Sequence, residues 1–457
     1  MSITMKFGGT SVADTEAISN AARIVADRKA ASPVVVVSAM SGVTDALLSS
    51  AALAKSDPQR ALESLNSCFD RHKIVAENLL SRDRAASFCA ELSRAHNSIN
   101  ELLHHSAKYS SLAKAIKDEI VCFGEILSSS LFAEVLKATG NDAQFIDSRV
   151  VVVTNDQHGR AEPFLPETFE RCRNTLRPLL AAGIIPVLGG FIAATRDGAT
   201  TTLGRGGSDY TASLVGAGLI SEEIQIWTDV NGVLSADPRV VANASTVEKL
   251  SYGEAAELAY FGAKVLHPKT IQPAIEGNIP VRICNSRQPE HPGTLVCSES
   301  DASPLTVKAI AHKKGVTTLQ ITSAGMLGAY GFLRAIFEVF ERERTVVDVV
   351  TTSEVSVSLS LDDATALPQI VESLQTLGTL TVEHGRAIIC VVGEGLRGTP
   401  GIAANVFSTI SDINVSLISQ GASSINLTFA VEDASAEEVV RRLHHKFFAS
   451  NVARMNA

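Results

Sequence analysis

Residues 200–209 read Thr200-Thr201-Thr202-Leu203-Gly204-Arg205-Gly206-Gly207-Ser208-Asp209. An apolar run from Ile184 to Ile192 precedes them, and a helical pattern from Tyr210 to Ala217 follows. Strand, glycine loop and helix in that order point free N–H groups and a helix dipole at one spot, which is a geometry for holding anions. The glycines let the backbone approach a ligand, and Arg205 adds a rigid guanidinium fork. Glycines alone would mark a tight turn. With Arg205, Ser208 and Asp209 in the same loop, the stretch reads as half of an active site.

Working outward, the same pattern opens the chain as Met5-Lys6-Phe7-Gly8-Gly9-Thr10-Ser11, followed by a helical stretch from Asp14 to about Arg28. It is neither a P-loop nor a Rossmann fingerprint. A lysine at a strand end beside free amides suits a phosphate chain, with the ammonium as a movable point charge. Pro33 to Met40 predicts a buried parallel strand that runs into Ser41-Gly42-Val43-Thr44. Small hydroxylated residues at a strand's C-terminal end fit ligand contact. Residues from about 45 to 138 read as helical, polar on one face. Within them Glu125 stands in an apolar patch, Val121 to Leu127, either as a satisfied buried carboxylate or as a ligand for an ammonium.

Ala143 to Asp147 and Val150 to Thr154 predict short strands. Ile224 to Leu234 predicts a strand and turn, followed by Ser235-Ala236-Asp237-Pro238-Arg239. Thr228, Asp229 and Asp237 then lie beyond a strand end, where nucleotides bind in open α/β sheets. Phe261 to Pro268 places Lys264 in an apolar stretch, either snorkelling or as a ligand, and His267 reads as a helix-end histidine rather than a catalytic one. Strands alternating with helices to about residue 297 predict an α/β domain with a mostly parallel sheet.

From about Asp301 the pattern changes. Strands at Val316–Thr322, Val346–Thr352, Val355–Leu361 and Leu380–Glu383, with helices at Gly331–Arg342 and Ala364–Leu377, make a βαββαβ ferredoxin-like unit. A second copy starts at Ala387: Val347–Thr351 recurs as Val415–Ser419, and Val355–Leu361 recurs as Ser423–Phe429. The copy ends on a helix, Ala436 to Phe448, and lacks a fourth strand, whereas Val307 to Ala311 precedes the first copy without a partner. The early strand is therefore expected to complete the second unit, with the first unit inserted inside it.

The chain has 457 residues, enough for about three domains. A formal charge of −9 makes a nucleic-acid-binding surface unexpected. No secretory signal and no membrane span is expected. The seven cysteines are scattered, with no CxxC pair, which points to a reducing cytosol without structural disulfides or a zinc site.

Taken together, KFGGTS, TTTLGRGGSDYTA, WTDVNGV…DPR, FGAKVLHP and the tandem repeat resemble the aspartate kinases (aspartokinases) of the monofunctional type, over essentially the whole chain. The resemblance implies an α/β amino-acid-kinase fold, a mostly parallel sheet between helices, over residues 1–300, followed by two interleaved ferredoxin-like ACT domains. The first ACT domain would span 316–385, and the second 305–313 with 386–457. It implies ATP and Mg²⁺ as cofactors, L-aspartate as acceptor, phosphorylation of its β-carboxylate in a cytoplasmic biosynthetic enzyme, and an ACT pair that senses an end-product.

Within the family the chain most resembles the lysine-sensitive branch, through MLGAYGF and VDVVTTSEVSVSLSLD. Carried over by position, Lys6, Gly8 and Gly9 would hold the transferring phosphoryl group, and Asp209 would orient Lys6. Thr44, Glu125, Arg205 and Ser208 would hold aspartate. Thr228, Asp229, Asp237, Arg239 and Lys264 would line the nucleotide site, with no dedicated protein metal site. The effector, lysine rather than threonine, would meet Met326, Gly331, Asp348, Thr352, Ser353 and Glu354. Leu234 stands where the family usually has a nucleotide-contacting tyrosine, and Gly328 and Ala329 replace polar residues of the effector loop.

A carboxylate acceptor is already ionised at pH 7, so a general base is not needed and positioning with charge neutralisation remains. Another amino-acid-kinase-fold enzyme, such as a glutamate or carbamate kinase, explains the first domain but not the ACT pair. A catalytically dead amino-acid sensor conflicts with the intact Lys6 and Asp209. A fusion to homoserine dehydrogenase is not expected, since the chain stops after the second ACT unit. A homodimer or a dimer of dimers through the ACT domains is expected.

Overall fold

The computed structural model describes residues 2–54, 56–106, 114–262, 266, 268–298 and 307–455. The chain forms two compact units. The first comprises Met1–Val233, Glu248–Tyr252 and Val265–Glu299, and the second Leu234–Val247, Gly253–Lys264 and Ser300–Ala457.

The first unit is built on strands β1 (Ile3–Phe7), β2 (Pro33–Val37), β3 (Ala143–Ile146), β4 (Ile185–Gly189), β7 (Glu223–Thr228), β8 (Lys249–Ser251), β9 (Val281–Asn285) and β10 (Thr294–Cys297). They form one sheet in the order β3-β4-β2-β1-β7-β9-β10-β8, in which only the β9–β10 pairing is antiparallel. A small hairpin, β5 (Ile192–Ala194) with β6 (Thr200–Thr202), leads into the glycine loop. Every residue of β1, β2 and β4 is buried, as expected of parallel strands covered on both faces.

The period of two sorts the side chains. Val35, Val37 and Val187 join Phe132 and Leu131 in one core, and Val34 and Leu188 join Leu176, Leu214 and Leu219 in the other. The first core is closed by helices Thr15–Asp27, Val43–Leu53, Pro58–Leu79, Arg82–Ser106 and Lys114–Ala138. The second is closed by Leu165–Ala181 and Gly207–Leu219.

One strand expected from sequence does not form. Ser148–Val150 is a 3-10 turn, and Val153 and Thr154 make only single bridges, to Ala194 and Pro163. The Thr168 hydroxyl accepts from Val153 N at 3.1 Å, which takes the amide out of any ladder.

In the second unit, β11 (Ala309–Thr322), β12 (Val350–Thr352), β13 (Ser356–Leu361), β14 (Thr379–Val392), β15 (Leu417–Gln420) and β16 (Asn426–Glu432) form a six-stranded antiparallel sheet in the order β12-β13-β11-β14-β16-β15. β11 and β14 pair along their whole length, with a bulge between Lys313 and Val316. Strands expected to be separate are therefore halves of these two. Ala309–Lys313 pairs with Ile388–Val392, beside β16, while Thr317–Thr322 pairs with β13. Each half-sheet has the strand order of a ferredoxin-like unit, with the first unit interleaved in the second. Two cores lie beneath them, one around Leu319, Ile336, Phe340 and Leu359, the other around Ile389, Val406, Phe429 and Leu443. Val346–Thr352 narrows to the three residues of β12, and the helix expected at Ala364–Leu377 runs over Leu367–Leu374. No helix among the described residues is long and apolar enough to cross a membrane.

Candidate functional site

Four strand ends and two helix starts build the site. β1 ends on Lys6 and Phe7, β2 is followed by Ser38, β4 by Gly190 and Phe191, and β6 by the glycine loop. Between them lies a cavity of about 590 Å³ that Lys6, Thr44, Glu125, Arg205, Ser208 and Asp209 all line. The structure thus brings six of the sequence-predicted site residues together, from segments spread over two hundred positions.

Each is placed by its local fold. Lys6 and Asp209 form an ion pair, Nζ to Oδ1 2.7 Å, with side chains 11% and 15% exposed. Asp209 lies in the first turn of helix Gly207–Leu219, where the dipole favours a negative charge. That helix has no side-chain N-cap; Gly207 N–H is given to Gly204 O at 2.9 Å, and the amides that follow it are left for a ligand. Ser208 packs against Gly190 so closely that a Cβ there would stand 2.5 Å from Ser208 Cβ. Thr44 sits in the first turn of helix Val43–Leu53. Arg205 is exposed.

Glu125 is buried to 4% in helix Lys114–Ala138. Its Oε1 accepts from Ala39 N at 3.2 Å, and Oε2 has no partner among the described residues. Burial pushes the carboxyl up to about 8, against the pull of the Ala39 hydrogen bond. Half of a buried carboxylate aimed at a polar cavity is a receptor for a cation.

Gly8 and Gly9 follow β1 directly. Gly8 N–H is given to Trp227 O at 3.0 Å, and a Cβ on Gly8 would stand 3.5 Å from Lys6 Nζ, so what Gly8 offers is close approach to the lysine. Thr228 ends β7, its carbonyl held by Ser286, and its hydroxyl donates to exposed Asp229 at 3.3 Å. Asp237 and Arg239 belong to the second unit and pair with each other, Nη2 to Oδ2 2.6 Å. The Arg239 hydrogen bonds hold Asp237 below the usual carboxylate range. Lys264 and His267 lie outside the described residues. No group of three or more His, Cys, Asp or Glu able to hold a metal occurs among the described residues.

At the expected effector position, Gly331 opens helix Phe332–Arg342 and Met326 closes a 3-10 turn before it. Asp348 Oδ1 accepts from the Tyr260 hydroxyl, Oδ2 is buried without a partner, and burial pushes the carboxyl up to about 6. Thr352, Ser353 and Glu354 are exposed at the β12–β13 turn, with Ser353 Oγ 2.7 Å from Ser356 Oγ.

Among the cavity residues that sequence reasoning missed are Ser38, Lys117, Asp118, Gly159 and Phe191. Phe191 stands two residues beyond the end of β4 with φ 65°, a left-handed conformation rare for a bulky residue. Its position after a strand end that carries two glycines was the available signal.

The model of the amino acid kinase family matches residues 1–285, and that of the ACT domain matches residues 389–447. The chain is 39% identical to the lysine-sensitive aspartokinase 3 of Escherichia coli over 456 residues, 98% of this chain and 99% of that one. The crystal structure of E. coli aspartokinase III in complex with aspartate and ADP (R-state) matches with a TM-score of 0.85 at 38% identity, covering 98% of this chain and 100% of that one. Its complex with lysine and aspartate (T-state) matches with a TM-score of 0.81 at 39% identity, covering 98% and 99%.

Proposed function

Since the chain belongs to the aspartokinase family of amino acid kinases, it is an aspartate kinase, and we propose that the cavity between Lys6 and Glu125 is where aspartate accepts the phosphoryl group. An oxygen of the β-carboxylate attacks the γ-phosphorus of ATP, the bridging P–O bond breaks toward ADP, and 4-phospho-L-aspartate forms. No proton need leave the nucleophile, so the protein's work is alignment and charge neutralisation.

Glu125 takes the substrate α-ammonium, Arg205 the α-carboxylate, and Ser208 and Thr44 hold the acid in line. Lys6, steered by Asp209, meets the charge that grows on the γ-phosphoryl oxygens, with the free amides of helix Gly207–Leu219 beside it. Thr228 and Asp229, with Asp237, Arg239 and Lys264, are assigned to the nucleotide. The donor set fits a Mg²⁺ ion carried mainly by phosphate oxygens and water, with Asp209 the acidic side chain of the cavity nearest Lys6. Bound there, Mg²⁺ supplies neutralisation of the polyphosphate charge.

The observation that carries this reading is the unpartnered Oε2 of Glu125. It calls for a cationic group of the size of an amino acid's ammonium, opposite the lysine that calls for phosphate. The test is aspartate-dependent ADP release by the purified chain with MgATP, with glutamate and carbamate as control acceptors. ADP release indifferent to aspartate would overturn it.

The boundaries proposed are a kinase domain over 1–300, a first ACT domain over 316–385, and a second over 305–313 with 386–457. The second unit is assigned the feedback role, with lysine as effector. The exposed Leu327, Tyr330, Leu333 and Phe337 of the first ACT unit support a dimer through that unit. Seven free thiols support a reducing, cytosolic setting.

A further inference from the structure

Helix Lys114–Ala138 presents two buried carboxylates to the cavity, Asp118 and Glu125, seven residues apart and hence on one face. They differ in how their oxygens are used. Glu125 keeps one oxygen without a partner, whereas both oxygens of Asp118 are filled by the protein. Asp118 Oδ1 accepts from the Thr202 hydroxyl at 2.7 Å. Its Oδ2 accepts from Gly159 N–H at 2.9 Å and lies 3.1 Å from His158 Nδ1. At 1% exposure these are charge-assisted hydrogen bonds in a dry environment.

Both anchored points bear on the glycine loop. Thr202 ends β6 and stands three residues before Arg205. Gly159 packs on Gly204, which has φ +77°, and a Cβ on Gly204 would stand 3.2 Å from Gly159 O. The 155–162 turn is itself closed by Asn155, whose Oδ1 accepts from Glu162 N at 3.0 Å, and is tied to the same strand by Ala161 N to Thr202 O at 2.9 Å.

We propose that Asp118 is a positioning residue for aspartate binding: by holding Thr202 and the His158–Gly159 turn it sets where Gly204 and Arg205 stand at the cavity. This rests on the reading of Arg205 as the residue that takes the substrate carboxylate. Glu125 is then the acid left for the ligand, and Asp118 the acid that acts through the protein.

The test is steady-state kinetics with KM for aspartate and for ATP measured separately on Asp118→Ala, Asp118→Asn, Thr202→Val and Arg205→Ala, with thermal melts of each. Asp118→Ala should raise KM for aspartate about tenfold or more while KM for ATP stays within about twofold. Asp118→Asn should fall between, because it keeps an acceptor for Thr202 and loses one for Gly159 N–H. Thr202→Val should move the same constant in the same direction by a smaller factor. If Asp118→Ala does not fold, the other two variants decide. Equal rises in both KM values, or folded Asp118→Asn and Thr202→Val enzymes with a wild-type KM for aspartate, would overturn the proposal. An unchanged aspartate KM in Arg205→Ala overturns the reading beneath it and this proposal with it. A raised one, beside unaffected Asp118 variants, removes the Asp118 role alone.

Discussion

Lys6 Nζ stands 2.7 Å from Asp209 Oδ1, joining the end of the first strand to the first turn of the helix that follows the glycine loop. The two glycine-loop halves of the candidate site are thereby registered by one ion pair. Lys6→Ala should lower kcat by on the order of 10²–10³, as loss of a transition-state charge donor does. Asp209→Asn should lower kcat in the same direction by freeing the lysine. In the double variant the losses should not add, and full additivity in kcat would separate the two residues.

Arg205 is exposed in the free chain, so its substitution leaves the packing of the loop intact. Arg205→Ala should raise KM for aspartate about tenfold to a hundredfold, the range for losing charge-assisted hydrogen bonds to a carboxylate. KM for ATP should change far less. Saturation curves for the two substrates read this directly.

Glu125 supplies a pH dependence whose sign follows from its environment. Burial holds its carboxyl at about 8, so near neutral pH the free enzyme carries a substantial protonated fraction. The neutral acid cannot pair with an ammonium. kcat/KM for aspartate should therefore rise with pH and level off above about 8. In Glu125→Gln that limb should vanish together with most of the affinity for aspartate. A profile of Glu125→Gln that still rises through the same range would assign the titration to another group.

The sheet of the first unit was legible because strands such as Pro33–Val37 are buried on both faces and read as unbroken apolar runs. The interleaving of the ACT units was legible from an orphan strand at one end and a missing one at the other. That the orphan and its neighbour are one strand was not. Lys313-Lys314-Gly315 looks like a polar turn, and only pairing with β14 turns it into a bulge. Lys6, Arg205 and Asp209 were legible because glycine loops mark them. Asp118 was not, since it stands in a polar helical stretch and its partners lie 40, 41 and 84 residues away. A buried polar network is a property of the tertiary contacts, and local sequence carries no trace of it.

The feedback response should reside in the first ACT unit. Asp348 has one oxygen accepting from Tyr260 and the other buried without a partner, the same half-used state as Glu125. Glu354 stands exposed at the neighbouring turn, while the second ACT unit has Ser416 and Ala422 at the corresponding places. One buried, half-used carboxylate and one exposed at the β12–β13 turn favour an amino acid with a second ammonium, whose own carboxylate would meet the leading amides of helix Phe332–Arg342. Lysine should then inhibit at subsaturating aspartate and threonine should not, to the extent that lysine prefers the low-activity state. Because burial holds Asp348 at about 6, its anionic form is lost as pH falls through that value, and lysine should inhibit progressively less on acidification. Asp348→Ala should abolish the response, and Glu354→Ala, which removes an exposed and screened charge, should weaken it less. Gly328 and Ala329 offer no side-chain hydrogen bonds in this loop, so half-inhibition should require more lysine than in a loop with polar residues there. Titrating both amino acids on the wild type and the two variants decides it. Inhibition that survives Asp348→Ala would move the effector away from this unit's first helix.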